Sequence, residues 1–155
     1  MQHAFQISRK IEYGTRAMVF LASLPEGMST SFREIARKMD IPEEFLAKIL
    51  KILVKAELVK SVRGSKGGYS LARQPSHISF LEVIEAVEGP ISVNVCTEKD
   101  HGGCRFTGNC TMFSVWNQGQ ERMLEVYRAT KLDRLAMRSL MHRSPLVPLS
   151  ARATT

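Results

Sequence analysis

The sequence predicts a mainly α-helical protein with a small β-hairpin and a long C-terminal helix. Apolar residues recur at helical spacing in five stretches of the 155-residue chain, the last spanning 111–140. Two short alternating stretches, near 58–62 and 69–72, are separated by glycines, which is typical of a hairpin. All three cysteines fall between Cys96 and Cys110, in a polar, glycine-rich stretch that we expect to be a loop.

The composition is that of a soluble globular domain, or of a small domain with an appended arm. Hydrophobic residues make up 44% of the chain and charged residues 24%. Apolar runs are shorter than the ~18 residues of a membrane span, and the N-terminus lacks the apolar segment of a signal peptide. We therefore expect a cytoplasmic protein with no membrane partner. The net charge is +7, and residues 1–75 carry thirteen Lys and Arg against seven Asp and Glu, which suits a polyanion partner.

The first predicted helix spans 7–24, and Pro25-Glu26-Gly27 ends it. Its apolar stripe recurs every three or four positions. The stripe consists of Ile7, Ile11, Gly14, Met18 and Leu21. Glu12 lies at the edge of this stripe.

A helix-turn-helix follows the first helix. Residues 31–39 predict a short helix, because Ser31 and Glu34 form a capping-box pattern. Pro42 suits the first turn of the next helix, and Glu43 and Glu44 are favourable near its positive end. The apolar face of that third helix excludes its lysines, Lys48, Lys51 and Lys55. Two short helices joined by a tight turn, the second bearing lysines, are typical of DNA-binding proteins, although helical hairpins also form for packing reasons alone.

The predicted hairpin directly after the third helix completes a winged helix-turn-helix. Its tip, Arg63-Gly64-Ser65-Lys66-Gly67-Gly68, is flexible and basic. Three glycines permit close backbone approach and positive φ, and Arg63 and Lys66 can reach a phosphate or the minor groove. In isolation such a tip would be an ordinary solvated turn; its place after the third helix favours DNA contact.

The C-terminal half predicts two further helices on either side of the cysteines. Residues 79–88 form a short amphipathic helix with Ser79 as its cap, and 111–140 form a long one. Because so long a helix cannot bury its stripe on a small domain, we expect it to pair with a second copy of the chain; the alternative is a helix folded back on its own subunit. The predicted division is 1–90 winged helix, 91–110 cysteine loop, 111–141 dimerisation helix and 142–155 flexible tail.

Three thiols in one polar loop need an explanation other than core packing. Soft thiolates that converge suit zinc or an iron–sulfur cluster, whereas a disulfide would leave one cysteine over. A reducing cytoplasm favours metal binding over a disulfide. The alternative is that the three thiols bind nothing, or are merely redox-active.

Taken together, these motifs resemble the IscR/NsrR/RirA-type bacterial winged-helix regulators. The resemblance covers about residues 5–140. It is carried by the stretch from Ile7 to Gly14 with Arg16-Ala17-Met18, by the wing sequence from Arg63 to Arg73, and by the cysteines Cys96, Cys104 and Cys110. The spacing of the cysteines is one that this family uses, although other members have a shorter first gap.

The resemblance implies a homodimeric repressor or activator of transcription whose three cysteines hold a [2Fe–2S] or [4Fe–4S] cluster. The state of the cluster would then control the affinity for double-stranded promoter DNA. The implied DNA contacts are in the wing, in the third helix and at the start of the second helix. They comprise Ser29, Thr30, Ser31, Glu43, Glu44, Lys48, Arg63, Gly64, Ser65, Lys66, Gly67, Gly68 and Tyr69.

Three thiolates leave one iron position to be filled by another ligand. Some relatives use a histidine shortly after the third cysteine, and this chain has Thr111-Met112-Phe113 there. Others use an acidic residue of the first helix of the partner subunit, and Glu12 stands at the matching position. His101, Asp100 and Glu98 are further candidates. Zinc held by the three cysteines and His101 is the structural-metal alternative.

Two other classes of function compete with a cluster-controlled regulator. One is a metal-stabilised module that binds protein rather than DNA, in which the charge of the wing is incidental. The other is an enzyme, which we do not expect, because the sequence lacks a Ser/His/Asp constellation, a phosphate-binding glycine loop and the Cys-x-x-Cys of thiol redox enzymes. No small-molecule substrate is therefore expected.

Overall fold

A computed structural model describes residues 7–64, 67–106 and 108–141. Ser65, Lys66 and the predicted tail 142–155 lie outside these residues. The described residues form six α-helices and one antiparallel pair of strands. In chain order these are α1 (Arg9–Ala22), α2 (Phe32–Met39), α3 (Glu43–Lys55), β1 (Val59–Val62), β2 (Gly68–Leu71), α4 (Phe80–Glu88), α5 (Phe113–Ala129) and α6 (Leu132–Met141). The predicted fold class, mainly α with a small β wing, is confirmed.

The helix-turn-helix forms where local chemistry predicts it. The Ser31 hydroxyl accepts a hydrogen bond from the Glu34 N–H at 3.2 Å and so caps α2. Asp40 ends α2 in the left-handed conformation with a φ of 51°, and Pro42 immediately precedes α3. This tight turn places α3 across α2, as the helix-turn-helix prediction requires.

The core lies between α1, α3 and α4, and α6 covers it from the C-terminal side. Met18, Leu46 and Leu53 are fully buried within it. Gly14 sits on the face of α1 that meets α4, where an added Cβ would lie 2.9 Å from Val87 Cγ2. This close approach explains a buried glycine in the middle of a helix, where glycine otherwise costs about 1 kcal/mol relative to alanine.

The prediction of one continuous helix over 111–140 is wrong, because α5 ends at Ala129 and a separate helix, α6, begins at Leu132. The Phe80 N–H donates to the Thr130 carbonyl at 2.8 Å, and the Leu132 N–H donates to the Ile78 carbonyl at 3.1 Å. These two bonds attach the chain to the start of α4, and α6 then packs against α1 of the same subunit with Leu132 fully buried. The segment predicted as one dimerisation helix is therefore two helices, of which α6 packs on its own subunit.

Glu82 links the cap of α4 to the end of the wing. Its Oε2 accepts hydrogen bonds from the Ser79 N–H and hydroxyl, each at 2.8 Å, and its Oε1 accepts one from Arg73 Nη2 at 2.9 Å. The Ser79 hydroxyl also accepts a hydrogen bond from the Glu82 N–H, which completes a capping box. Partial burial alone would raise the pKa of Glu82, but the bonds from Ser79 and the charge of Arg73 outweigh it, and the pKa is lowered from its usual value of 4.5.

We expect Glu82→Gln to lower the free energy of unfolding at pH 7 by about 0.5–1 kcal/mol, through loss of charge-assisted bonds at a partly exposed site. Since the folded pKa is depressed, this stabilisation is present above the ordinary pKa and is lost as pH falls through the folded value. The difference between variant and wild type should therefore shrink in urea titrations as the pH falls below the ordinary pKa of 4.5 and through the lowered folded value. Glu85→Gln, at an exposed position of the same helix, is the control; an equal effect there would contradict the assignment.

Candidate functional site: nucleic-acid interface and cysteine loop

Helix α3 has one apolar and one charged face. Its buried side chains are Leu46, Ile49, Leu50 and Leu53. Glu43, Glu44 and the three lysines are exposed on the other side. Of these, Glu44, Lys48, Lys51 and Lys55 recur at intervals of three or four residues and therefore share one outward face. Such a face can enter a major groove.

The wing is a two-stranded antiparallel hairpin in which Val59 pairs with Leu71 and Val62 pairs with Gly68. At its tip the Gly67 N–H donates to the Gly64 carbonyl at 2.9 Å. Gly64 has a φ of 113°, which the turn requires and a side chain would disfavour. Arg63 is exposed beside this turn. The hairpin and its glycine tip were predicted from the sequence.

The wing is attached to the start of α2 by a pairing that sequence reasoning did not find. The Thr30 N–H donates to the Tyr69 carbonyl at 3.0 Å, and the Tyr69 N–H donates to the Thr30 carbonyl at 2.8 Å. A Cβ at Gly68 would lie 2.2 Å from the Thr30 carbonyl oxygen, so only glycine permits this approach. The wing and the beginning of α2 consequently form one unit.

This pairing separates the three residues predicted to contact phosphates at the start of α2. Thr30 is buried, 8% exposed, and both of its backbone polar groups are bonded to Tyr69. Ser31 is exposed and caps α2, whereas Ser29 is half-buried. The structure therefore gives Thr30 a positioning role between α2 and the wing. Contact of all three with DNA stays a prediction.

The three cysteines lie in the connection between α4 and α5, which contains two short 3₁₀ helices, Val95–Thr97 and Lys99–Gly103. Cys96 is buried at 7% exposure, and Cys104 and Cys110 are half-buried. All three are thiols. The two 3₁₀ helices pack closely, because a Cβ at Gly102 would lie 2.4 Å from the Val95 carbonyl oxygen. The stretch has more local structure than its polar, glycine-rich composition suggested.

Gln120 of α5 holds the first of these 3₁₀ helices. Its Oε1 accepts a hydrogen bond from the Val93 N–H at 3.0 Å, and its Nε2 donates one to the Thr97 carbonyl at 3.1 Å. These bonds flank Cys96 on both sides. Sequence reasoning missed this residue, because a glutamine within a helical pattern is normally read as solvated surface.

The three predicted thiol ligands are not grouped around one point in the described residues, and Glu12, which was predicted to come from the partner subunit, stays a prediction. Within 7–64, 67–106 and 108–141, no three Cys, His, Asp or Glu side chains lie close enough to hold a metal ion. Glu12 is half-buried and forms ion pairs within its own helix, with Arg16 and with Arg9, the latter at 3.4 Å. The donor chemistry of three thiols on one loop still fits an iron–sulfur cluster, but the described arrangement is not the ligating one.

A helix-turn-helix with a basic third helix, joined to a glycine-tipped wing, defines the winged-helix class of DNA-binding transcription regulators. Residues 7–138 match the Rrf2 family, which is described as an iron-dependent transcriptional regulator. The chain belongs to this family, whose members are transcription regulators and not enzymes.

Three known proteins illustrate the similarity. The transcriptional regulator NsrR of Geobacillus kaustophilus is 30% identical over 141 residues, which is 88% of this chain and 96% of that protein. The structure of T. potens IscR is 30% identical with a TM-score of 0.72, and covers 89% of this chain and 91% of its own. The oxidized form of Staphylococcus aureus CymR is 27% identical with a TM-score of 0.68, and the match covers 85% of this chain and 96% of the CymR chain.

Among the described residues, no helix is both long and apolar enough to cross a membrane.

Proposed function

We propose that this chain is a homodimeric DNA-binding regulator whose affinity for promoter DNA is controlled by an iron–sulfur cluster held by Cys96, Cys104 and Cys110. The observation that carries the proposal is the placement of all three thiols on the connection leading into α5, in a chain that also forms a winged helix. A signal at the thiols would thereby act on the helix that is available for pairing.

Promoter binding is supported by the charge and shape of α3 and the wing. Lys48 on the outward face of α3 and Arg63 at the wing can contact phosphates on either side of a groove. Glu43 and Glu44, at the exposed start of α3, can accept hydrogen bonds from cytosine amino groups in the major groove. Ser31, exposed at the start of α2, supplies a hydroxyl donor for a phosphate.

Homodimer formation is supported by the exposed apolar side chains of α5. Met112, which precedes α5, and Val115 and Val126 are each at least 60% exposed and lie along one side of the helix. Gly119 falls between them on the same side, and the space around it is open. An apolar stripe of this kind is costly to leave in water, and a second copy would cover it around a two-fold axis.

Cluster binding is supported by the donor set and by the description of the family as iron-dependent. When bound, a cluster supplies iron–sulfur bonds that respond to redox state, nitric oxide or iron supply. The chain itself supplies the thiols: Cys96 is buried at the start of the loop, and Cys104 and Cys110 are half-buried in its middle and at its end.

Glu12 is proposed as the fourth ligand, from the partner subunit. Its carboxylate is bonded to Arg16 and Arg9, so ligation would require exchange of at least one ion pair on a half-exposed surface. Such pairs are weak, typically below about 1 kcal/mol, and therefore leave the carboxylate available. A hard carboxylate among soft thiolates is also the ligand most easily displaced, which suits a sensor.

A second candidate function is regulation through direct oxidation of the thiols, or through a structural zinc, without a cluster. The favouring observation is that the thiols are not in a ligating arrangement within the part of the chain that the structure describes. The solved CymR with a similar fold was obtained in an oxidized form, so a change of redox state is compatible with this fold.

We expect Cys104→Ala to abolish cluster binding. Purified without oxygen, the wild type should be brown, with visible absorption and stoichiometric iron and sulfide, while the variant should be colourless because two thiolates are too few to retain the cluster. Wild-type affinity for promoter DNA should change by at least about 10-fold between cluster-loaded and metal-free protein, which corresponds to a coupling of about 1.4 kcal/mol.

The matched control is Asn109→Ala, at an exposed position of the same loop, which should remain brown. A colourless wild type containing zinc, or a disulfide that forms reversibly between two of the cysteines, would support the second candidate function instead. If neither the cluster-loaded nor the metal-free dimer binds promoter DNA, the proposal of a DNA-binding regulator is contradicted.

A further inference from the structure

Gln120 uses its whole carboxamide to hold the cysteine loop on α5. The side-chain oxygen accepts a hydrogen bond from the Val93 N–H at 3.0 Å, and the amide nitrogen donates one to the Thr97 carbonyl at 3.1 Å. The side chain is 8% exposed, and Gln120 is the one residue that α5, described over its full length, buries. A buried amide with both ends satisfied by backbone groups fixes those groups relative to the helix.

The segment that Gln120 holds is itself tied together. The Ser92 hydroxyl donates to the Asn94 carbonyl at 2.6 Å, and the Thr97 hydroxyl donates to the same carbonyl at 2.8 Å. The Thr97 hydroxyl also accepts from the Asn94 N–H at 3.2 Å. Residues 92–97, which we term the Cys96 turn, therefore behave as one unit, and Cys96 within it is 7% exposed.

Both ends of the cysteine loop are consequently attached to α5. Cys110 precedes Phe113, the first residue of α5, and its carbonyl accepts the Phe113 N–H at 3.3 Å. The Cys96 turn is attached two helical turns further along, at Gln120. A rearrangement that moves the Cys96 turn relative to Cys110 must therefore break the Gln120 attachment, release Cys110 from the start of α5, or move part of α5 with it.

We propose that Gln120 is a positioning residue that couples the state of the cysteine loop to the position of α5. The coupling rests on the proposed function, in which α5 carries the surface that pairs with a second copy. With both hydrogen bonds in place, a change at the thiols is passed to this surface and from there to the relative placement of two DNA-binding units. Without them, the loop rearranges alone and DNA affinity no longer follows it.

The first test measures whether Gln120 protects Cys96. In the metal-free, reduced full-length protein, Gln120→Met keeps the side-chain length but removes both hydrogen bonds. The alkylation rate of Cys96 by iodoacetamide, measured by mass spectrometry relative to that of Cys104, should rise about 10-fold through local opening of the Cys96 turn. Gln118→Met, exposed on the same helix, should leave the ratio unchanged.

Gln120→Glu separates the two halves of the attachment. Its carboxylate still accepts from the Val93 N–H but cannot donate to the Thr97 carbonyl, so a rate between those of wild type and Gln120→Met is expected. An unchanged Cys96 rate in Gln120→Met would overturn the proposal. A rise shared equally by all three cysteines would overturn it too, because it would indicate general loosening of the fold.

The second test measures the coupling itself. The ratio of promoter affinities between cluster-loaded and metal-free protein, or between oxidised and reduced protein if no cluster binds, should fall at least about 5-fold in Gln120→Met. Gln118→Met should keep the wild-type ratio. A wild-type ratio retained by Gln120→Met would overturn the coupling. A wild-type ratio of one would overturn the proposed function and the coupling together, while the alkylation rates would still decide whether Gln120 holds the Cys96 turn.

Discussion

Replacing Arg63 and Lys66 with alanine is expected to weaken promoter binding by about 10- to 100-fold at 0.1 M salt. Each side chain that neutralises a phosphate releases about one counterion, so the slope of log affinity against log salt should become shallower by about 0.9 per lost contact. The loss should be similar for specific and unrelated DNA, because phosphate contacts carry no sequence information. Fluorescence anisotropy across a salt series measures both quantities.

The matched control removes the same charge from elsewhere in the chain. Arg134 and Arg138 are exposed on α6, outside the helix-turn-helix and the wing. Their double replacement with alanine should leave the salt slope within experimental error and lower affinity by less than about 3-fold, through net charge alone. Equal losses for both pairs would show that the basic charge acts as a diffuse field and that the wing makes no contact.

Replacing Leu132 with alanine is expected to lower the free energy of unfolding by about 3 kcal/mol. Leu132 is fully buried where α6 returns to the DNA-binding domain, so the change leaves a cavity in the core. Urea unfolding at several protein concentrations separates this effect from any change in dimer formation, since dimer dissociation depends on concentration and a core cavity does not.

Leu140→Ala on the same helix is the control. Its side chain is 45% exposed, and we expect a change within about 0.5 kcal/mol. If α6 instead continued α5 into a dimer interface, Leu132→Ala would weaken dimerisation and leave the concentration-independent part of the stability unchanged. That result would contradict the broken helix.

Local signals account for what the sequence predicts correctly. Ser31 and Ser79 cap their helices through their own hydroxyls, and the glycines of the wing tip adopt the turn that their missing side chains permit. Each of these features depends on atoms a few residues apart. Helix starts, the helix-turn-helix and the hairpin could therefore be predicted without any knowledge of the tertiary structure.

The break between α5 and α6 has no such signal. Thr130-Lys131 contains neither proline nor glycine, and the apolar spacing continues across it. The break exists because Phe80 and Ile78, about fifty residues earlier, bond to the backbone on either side of it. The Thr30–Tyr69 pairing and the Gln120 attachment are long-range in the same way, and periodicity cannot report which polar group a distant backbone will meet.

The chemistry of the candidate site could be predicted from the sequence, but its geometry could not. The composition and spacing of Cys96, Cys104 and Cys110 predict soft-ligand chemistry, which depends only on residue type. The packing of the Cys96 turn on α5 depends on tertiary contacts, whereas the ion pair of Glu12 with Arg16 is local, four residues apart on α1. The residue types thus predicted which ligands the loop could bind, whereas its geometry could be learned only from the folded structure.

The backbone bonds on either side of Lys131 also tie the C-terminal end of α5 to the start of α4. A helix of 17 residues is about 25 Å long, so a tilt of only about 5° about this end displaces the other end by about 2 Å. In such a tilt the end that travels furthest is Phe113, whose N–H donates to the Cys110 carbonyl, and the end that travels least is bonded to the start of α4. A small tilt of α5 would therefore move its cysteine end by much more than the end that is bonded to the DNA-binding domain.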